Sequence, residues 1–181
     1  VYLSDANEDN HFDLLSAFQK SIRGSDVNAA LYYLARLIEQ DDFDSIYRRM
    51  TVIAYEDIGL ANPSIHLKVD AAIRACERVG MPELRIILGE IIIEMALSPK
   101  SNSAYLAIAT ALDDVASGKS YPIPKHIKNH SKDYKYPHDY PFAQVKQQYL
   151  PDKLKDKKYY IPKENNNEQI YKKILDNLKN N

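Results

Sequence analysis

The sequence predicts an all-α fold: a helical bundle over residues 1–118, followed by an irregular, tyrosine- and proline-rich extension over residues 119–181. Three observations predict it. Every apolar run before Gly118 recurs at the i, i+3, i+4, i+7 spacing of a helix face. No stretch there alternates with period two, and the connections are short, which favours antiparallel helices. After Gly118 the chain holds 8 of its 14 tyrosines and 6 of its 9 prolines. Because proline removes a donor and fixes φ, that part must pack through side chains rather than backbone ladders.

The elements follow in order. A first helix runs from about Phe12 to Arg23. Asp26 caps a second, whose Val27, Ala30, Leu31, Leu34, Leu37 and Ile38 share one face. A third stripe, Phe43, Ile46, Tyr47, Met50, Ile53 and Ala54, stops at Gly59. Asn62 is then placed to cap, Pro63 to take the first helical position and Gly80 to end the fourth helix. Pro82 opens the fifth and most apolar helix, expected at the centre of the bundle because it is apolar nearly all round; Ser98-Pro99 closes it. The sixth places Ala104, Tyr105, Ile108, Ala111, Leu112 and Val115 on one face and ends at Gly118, with Ser101, Asn102 and Ser103 as candidate caps. A terminal helix is expected from about Asn166 to Leu178.

Composition narrows the classes of function. With 45% hydrophobic and 27% charged residues over 181 positions, the chain is an ordinary globular domain, or one domain and a small part. Its longest apolar stretch, Leu84 to Leu97, carries Arg85, Glu90 and Glu94 and is shorter than the roughly 20 residues of a membrane span. Val1 begins the chain without a basic region and apolar h-region, and a single cysteine, Cys76, excludes an internal disulfide, so a cytoplasmic protein without membrane contact is expected. The net charge of −1 conceals opposed halves: residues 1–118 hold 10 Lys/Arg against 18 Asp/Glu, and residues 119–181 hold 14 against 7. Such halves attract each other within or between molecules, and the basic one can also meet phosphate.

Catalytic signatures are absent from the sequence. It has neither G-x-x-x-x-G-K-[ST] nor G-x-G-x-x-G, hence no phosphate cradle. Cys76, between Ala75 and Glu77 in a helix, reads as a small buried hydrophobe. His126-x-x-x-His130, with His138 beyond, has helical ligand spacing but lies among prolines and lysines without an intervening acid. Two stretches break local rules. In YEDIGLANP, Glu56 and Asp57 set two negative charges in the last turn of a helix, where the dipole disfavours them. Arg48 and Arg49, or a cation from a neighbouring helix, are the expected partners; a functional carboxylate pair working with a histidine is the other reading. In LSPKSNSAY, capping accounts for the serines and Asn102 but leaves Lys100 unexplained.

At these residues a resemblance becomes specific. KSIRGSD (20–26), AALYYLARLI (29–38), Arg48-Arg49, EDIGLANP (56–63), LSPKSNSAY (97–105), PIPKHIKN (122–129) and YPHDYPFAQVKQQYLP (136–151) occur in the order found in the RarA/MgsA replication-associated recombination AAA+ ATPases, relatives of the Werner-helicase-interacting protein. The resemblance covers roughly residues 11 to 162. It implies a C-terminal portion lacking the ATPase core: residues 1–40 as the end of the lid region and connecting helices, 41–118 as a helical oligomerisation core like the clamp-loader collar, and 119–181 as the basic extension and terminal helix. It further implies a homotetramer, with ATP and Mg held by the ATPase module rather than by this fragment. The parent would act on DNA at stalled replication forks, nucleoid-associated, with a single-strand-binding protein as a further partner. Phe142-Ala143 departs from the glycines common after HDYP, Val27 from a proline, and Lys128 from an arginine.

The stretch YKYPHDYPFAQVKQQYLP is then expected to be a strap over the bundle or over a neighbouring subunit, since tyrosine buries its ring while its hydroxyl stays bonded at a wet rim. The competing role for the same segment is single-strand DNA contact, lysines for the backbone and rings for base stacking. Candidate DNA or interface contacts are Lys20, Arg23, Arg48, Arg49, Glu56, Asp57, Lys100, Asn102, Lys125, Lys128, Tyr136, His138 and Tyr140.

Overall fold

The computed structural model describes residues 8–180; residues 1–7 and 181, the very start of the expected first segment and the last residue, lie outside the described residues. All seven expected helices are present: α1 (Glu8–Arg23), α2 (Val27–Glu39), α3 (Phe43–Ile53), α4 (Ser64–Val79), α5 (Leu84–Leu97), α6 (Ser103–Ala116) and α7 (Asn166–Asn180). No strand occurs among the described residues.

Helices α1 to α5 make the core. α1 packs on α2, α3 and α5, while α4 packs on α3 and α5. Phe18 and Ile22 of α1, Leu37 of α2, Ile46 and Met50 of α3, and Leu88 and Ile92 of α5 are buried in one cluster. Asp26 caps α2 as expected, accepting from Ala29 N at 2.9 Å. Asp42, which the sequence reading left unassigned, does the same for α3 through Ser45 N and Oγ. Asn62 does not cap with its side chain. Its amide donates to Ser98 Oγ and its oxygen accepts from Ser64 Oγ, tying the start of α4 to the end of α5.

Two expectations about packing are corrected. α5 is buried on one side only, with Ile86 and Leu97 exposed on the other. More consequentially, the apolar face of α6 is not in the core: Tyr105, Ile108, Leu112 and Val115 are all exposed, and the residues that α6 buries are Ser103 and Asp114. Periodicity identified the face correctly. It carried no information on what covers it.

Between α3 and α4 the chain widens into a π-helical turn, Ala54–Ile58, then tightens into a 3₁₀ turn, Gly59–Ala61. The π turn points Asp57 and Ile58 inward and leaves Tyr55 outside, stacked at 4.0 Å on His66. Gly59 is needed here. Its φ is +51°, and a Cβ would stand 2.6 Å from the carbonyl oxygen of Ser101. After Gly118 the chain is irregular, with short 3₁₀ turns at Lys125–Ile127, Pro137–Asp139, Pro141–Ala143 and Asp152–Leu154.

Candidate functional site

Three of the motifs singled out in the sequence, KSIRGSD, EDIGLANP and LSPKSNSAY, meet at one junction, and those of the extension do not. The last turn of α1 brings Arg23, the π turn brings Glu56 and Asp57, the α5–α6 connection brings Lys100 to Asn102, and the lead into α7 brings Lys163. Together with Tyr105 they line a cleft of about 410 Å³.

The two carboxylates that the dipole disfavours are compensated from α1. Arg23 Nε donates to Asp57 Oδ1 at 2.7 Å, and its guanidinium reaches Glu56 at 4.0 Å. Gln19, 5% exposed, donates from one amide nitrogen to both carboxylates, 2.6 Å to Glu56 and 3.1 Å to Asp57. Arg49 completes the arrangement indirectly by donating to Gln19 Oε1 at 2.8 Å. The bond to Asp57 pushes the Arg23 guanidinium above its ordinary pKa. Arg48, the other expected partner, is exposed and takes no part, as is Lys20.

Lys100 now has its explanation. Its ammonium donates to Ala96 O at 2.8 Å, Ser98 O at 2.6 Å and Ser25 Oγ at 3.0 Å. Three donors meet three acceptors, so the lysine caps the C-terminus of α5 and fastens it to the α1–α2 turn. Burial lowers its pKa. The backbone carbonyl of Asp57 accepts from Ser101 N at 2.8 Å, which locks the π turn to the same connection.

Behind this connection lies a residue that the sequence reading missed. Glu168, 0% exposed, accepts from Ser103 Oγ at 2.6 Å, Asn165 Nδ2 at 2.7 Å, Tyr160 OH at 2.9 Å and Lys163 N at 3.3 Å, and also from Ser101 Oγ. Burial opposes ionisation, yet the hydrogen bonds from Ser101, Ser103, Asn165 and Tyr160 together hold the carboxyl down to about 2. Asn165-x-x-Glu168 is a capping-box spacing, and Asn165 Oδ1 accepts from Glu168 N at 2.9 Å; that spacing was the signal in the sequence. Asn102 does not cap α6 through its side chain. Its oxygen accepts from Lys163, while Asn167 donates to Leu60 O at 2.7 Å. α7 is therefore fixed by polar contacts at its start, and its apolar residues Ile170, Ile174, Leu175 and Leu178 are exposed.

The extension does not behave as a strap over its own bundle. Tyr134, Tyr136, Tyr140, Phe142 and Tyr149 are exposed, and so are Lys125, Lys128, Lys132, Lys135 and Lys146. It is held at its roots and by its own cross-bonds. Tyr159 OH donates to Asp114 at 2.7 Å beside Lys119 and Lys157, His126 meets Gln148 O at 2.6 Å, and Gln147 pairs with the backbone of Lys135. His138 lies against Tyr136, ring centroids 5.1 Å apart. Phe142 is 92% exposed at φ +59°, followed by Ala143 at φ +54°.

Asp57 is occupied by Arg23 and Gln19, and no histidine lines the cleft. Among the described residues no three His, Cys, Asp or Glu side chains stand together as a metal would need, and no helix is long and apolar enough to cross a membrane.

Comparison with known proteins identifies the family. The sequence profile described as "MgsA AAA+ ATPase C terminal" matches residues 24–179. The chain is 56% identical over 96% of its length to "Replication-associated recombination protein A" of Bacillus subtilis, covering 44% of that protein. It is 35% identical over 87% of its length to the protein of the same name in Escherichia coli, covering 38% of it, and 35% identical over 86% to "ATPase WRNIP1" of Dictyostelium discoideum, covering 19%. The chain thus spans well under half the length of these relatives.

Proposed function

Since the chain belongs to the MgsA AAA+ ATPase C-terminal family, we propose that it is the self-association domain of a clamp-loader-like AAA+ protein, joining its copies into a homotetramer through the exposed face of α6. The observation that carries this is the solvent-facing stripe Tyr105, Ile108, Leu112 and Val115. These residues fall at i, i+3, i+7 and i+10, the spacing of a coiled-coil seam, on a helix whose interior-facing contacts are polar. Ile108 is 57% and Leu112 61% exposed. Covering one such side chain contributes on the order of 1.5 kcal/mol, and an apolar stripe of this length left to water marks an interface.

In this reading the chain itself is not an enzyme. ATP and Mg are bound by the ATPase module of the parent protein, which acts on DNA at stalled replication forks in the cytoplasm and nucleoid, alongside a single-strand-binding protein. The names of the relatives support a part in replication-associated recombination. The test is the mass of the 181-residue chain in solution, by light scattering during size exclusion at several concentrations. A species near four times 20.8 kDa is expected; a monomer at every concentration overturns the reading.

A second reading has its own support. Between residues 125 and 149 the extension presents five exposed tyrosine or phenylalanine rings and five exposed lysines, charge for a nucleic-acid backbone and faces for bases. Single-stranded oligonucleotide binding that weakens with salt, and weakens further when Lys125, Lys128, Lys132 and Lys135 are made glutamine, is expected of it. Affinity unchanged by those substitutions would remove it.

A further inference from the structure

Among the described residues two amphipathic helices lack a partner for their apolar faces, and their arrangement constrains what covers them. Besides the α6 stripe, α7 exposes Ile170, Ile174, Leu175 and Leu178. The two helices have nearly equal lengths, 14 and 15 residues, or about 21 and 22 Å at the helical rise of 1.5 Å per residue. They start from a single point, because Glu168 in the first turn of α7 accepts from the hydroxyl of Ser103 at the start of α6. Beyond that point neither stripe is covered, so α7 does not shield the α6 of its own chain.

Their charges are opposed. α6 carries only acidic charge, with Asp113 exposed and Asp114 buried against Lys119 and Lys157, whereas α7 exposes Lys172, Lys173 and Lys179 around its stripe, Lys172 being paired with Asp176 of the same helix. The α6 seam is flanked by Ala104, Ala109, Ala111 and Ala116, short side chains that let a second helix axis come close.

We infer that the subunit contact is heterologous: the apolar face of α7 from one copy packs on the apolar face of α6 from the next. This rests on the self-association reading above and specifies its partner surface. A contact between two different faces makes rings or filaments according to the angle between them, whereas a face that pairs with itself makes closed dimers. Here the angle is fixed within each chain by the buried hydrogen bonds of Glu168, so the clamp would set how many copies close the ring.

The experiment uses two variants of the 181-residue chain. The first, Ile108→Asp with Leu112→Asp, removes the α6 face and keeps α7; the second, Ile170→Asp with Ile174→Asp, does the reverse. All four side chains are exposed, and far-ultraviolet circular dichroism with thermal melting verifies that both variants fold. Each alone is expected to scatter as a monomer near 20.8 kDa. An equimolar mixture, with one intact α6 and one intact α7, is expected to form a species of about twice that mass and nothing larger. If the α7 variant assembles like the unaltered chain while the α6 variant does not, α6 meets α6, and the inference fails with self-association intact. If both variants and their mixture are monomeric, the pairing is likewise refuted. If the unaltered chain is itself monomeric, the self-association reading falls with it.

Discussion

The guanidinium of Arg23, in the last turn of α1, sits 2.7 Å from the carboxylate of Asp57, in the π turn thirty-four residues later. Asp57 is 5% exposed, so removing Arg23 leaves a buried carboxylate supported by Gln19 alone. Arg23→Ala is expected to lower stability by about 2 kcal/mol, a value reduced from that of a fully buried pair because the Arg23 side chain is half exposed. Lys20→Ala, one turn earlier and exposed, should change it by less than about 0.5 kcal/mol. Urea midpoints for the two variants check this; equal losses would mean that the ion pair is incidental.

Gly59 and Gly80 both have positive φ, but they differ in surroundings. A Cβ at Gly59 meets the Ser101 carbonyl at 2.6 Å, and one at Gly80 meets nothing within 4 Å. Gly80→Ala carries only backbone strain, about 1–3 kcal/mol. Gly59→Ala adds the overlap and should exceed it by at least about 1 kcal/mol. Melting temperatures of the two single variants, compared directly, isolate the close approach of the π turn to the α5–α6 connection.

Glu168 gives the fold a defined response to acid. Its folded pKa, about 2, lies below the ordinary value of 4.5. The group therefore contributes stability that is fully present above pH 4.5 and is lost as the pH falls from there toward 2, on the order of 3 kcal/mol in all. Glu168→Gln should abolish that portion of the pH dependence and weaken the attachment of α7 at neutral pH, because donors such as Asn165 Nδ2 and Lys163 N lose a carboxylate acceptor. Denaturant titrations at pH 3 and pH 7, with and without the substitution, measure it.

Phe142 combines near-complete exposure with a left-handed backbone, two features that favour glycine. Phe142→Gly is expected to leave stability unchanged or raise it by up to about 1 kcal/mol. If the ring contributes to oligonucleotide contact, the same variant binds single strands severalfold more weakly by fluorescence anisotropy. A loss of stability instead would mean that the ring packs in the folded monomer.

Much of the fold is legible along the chain because its signals are local. The helices follow from periods of three and four, Asp26 announces α2, and the missing period-two pattern excludes sheets. What was not legible depends on which segments meet. YEDIG shows two misplaced carboxylates without showing that relief comes from α1 rather than from Arg48, eight residues away. Lys100 looks unexplained until the end of α5 lies beneath it. The α6 stripe has the spacing of a core helix, and only the surrounding structure reveals that none of the described residues covers it. Glu168 was overlooked although Asn165-x-x-Glu168 has capping spacing, since that pattern foretells a helix start and not five donors converging on one carboxylate.

The extension departs from α6 and comes home at the bond between Tyr159 and Asp114, separated by 45 residues. A loop closed at its base is tolerant of growth: doubling its length adds only about 0.6 kcal/mol of closure entropy. By that measure its tip can be lengthened, or fitted with an inserted peptide, at little expense to the bundle. A chain nicked there by a protease would remain one particle, its two pieces joined at the root by Asp114 and by the hydroxyls around Glu168.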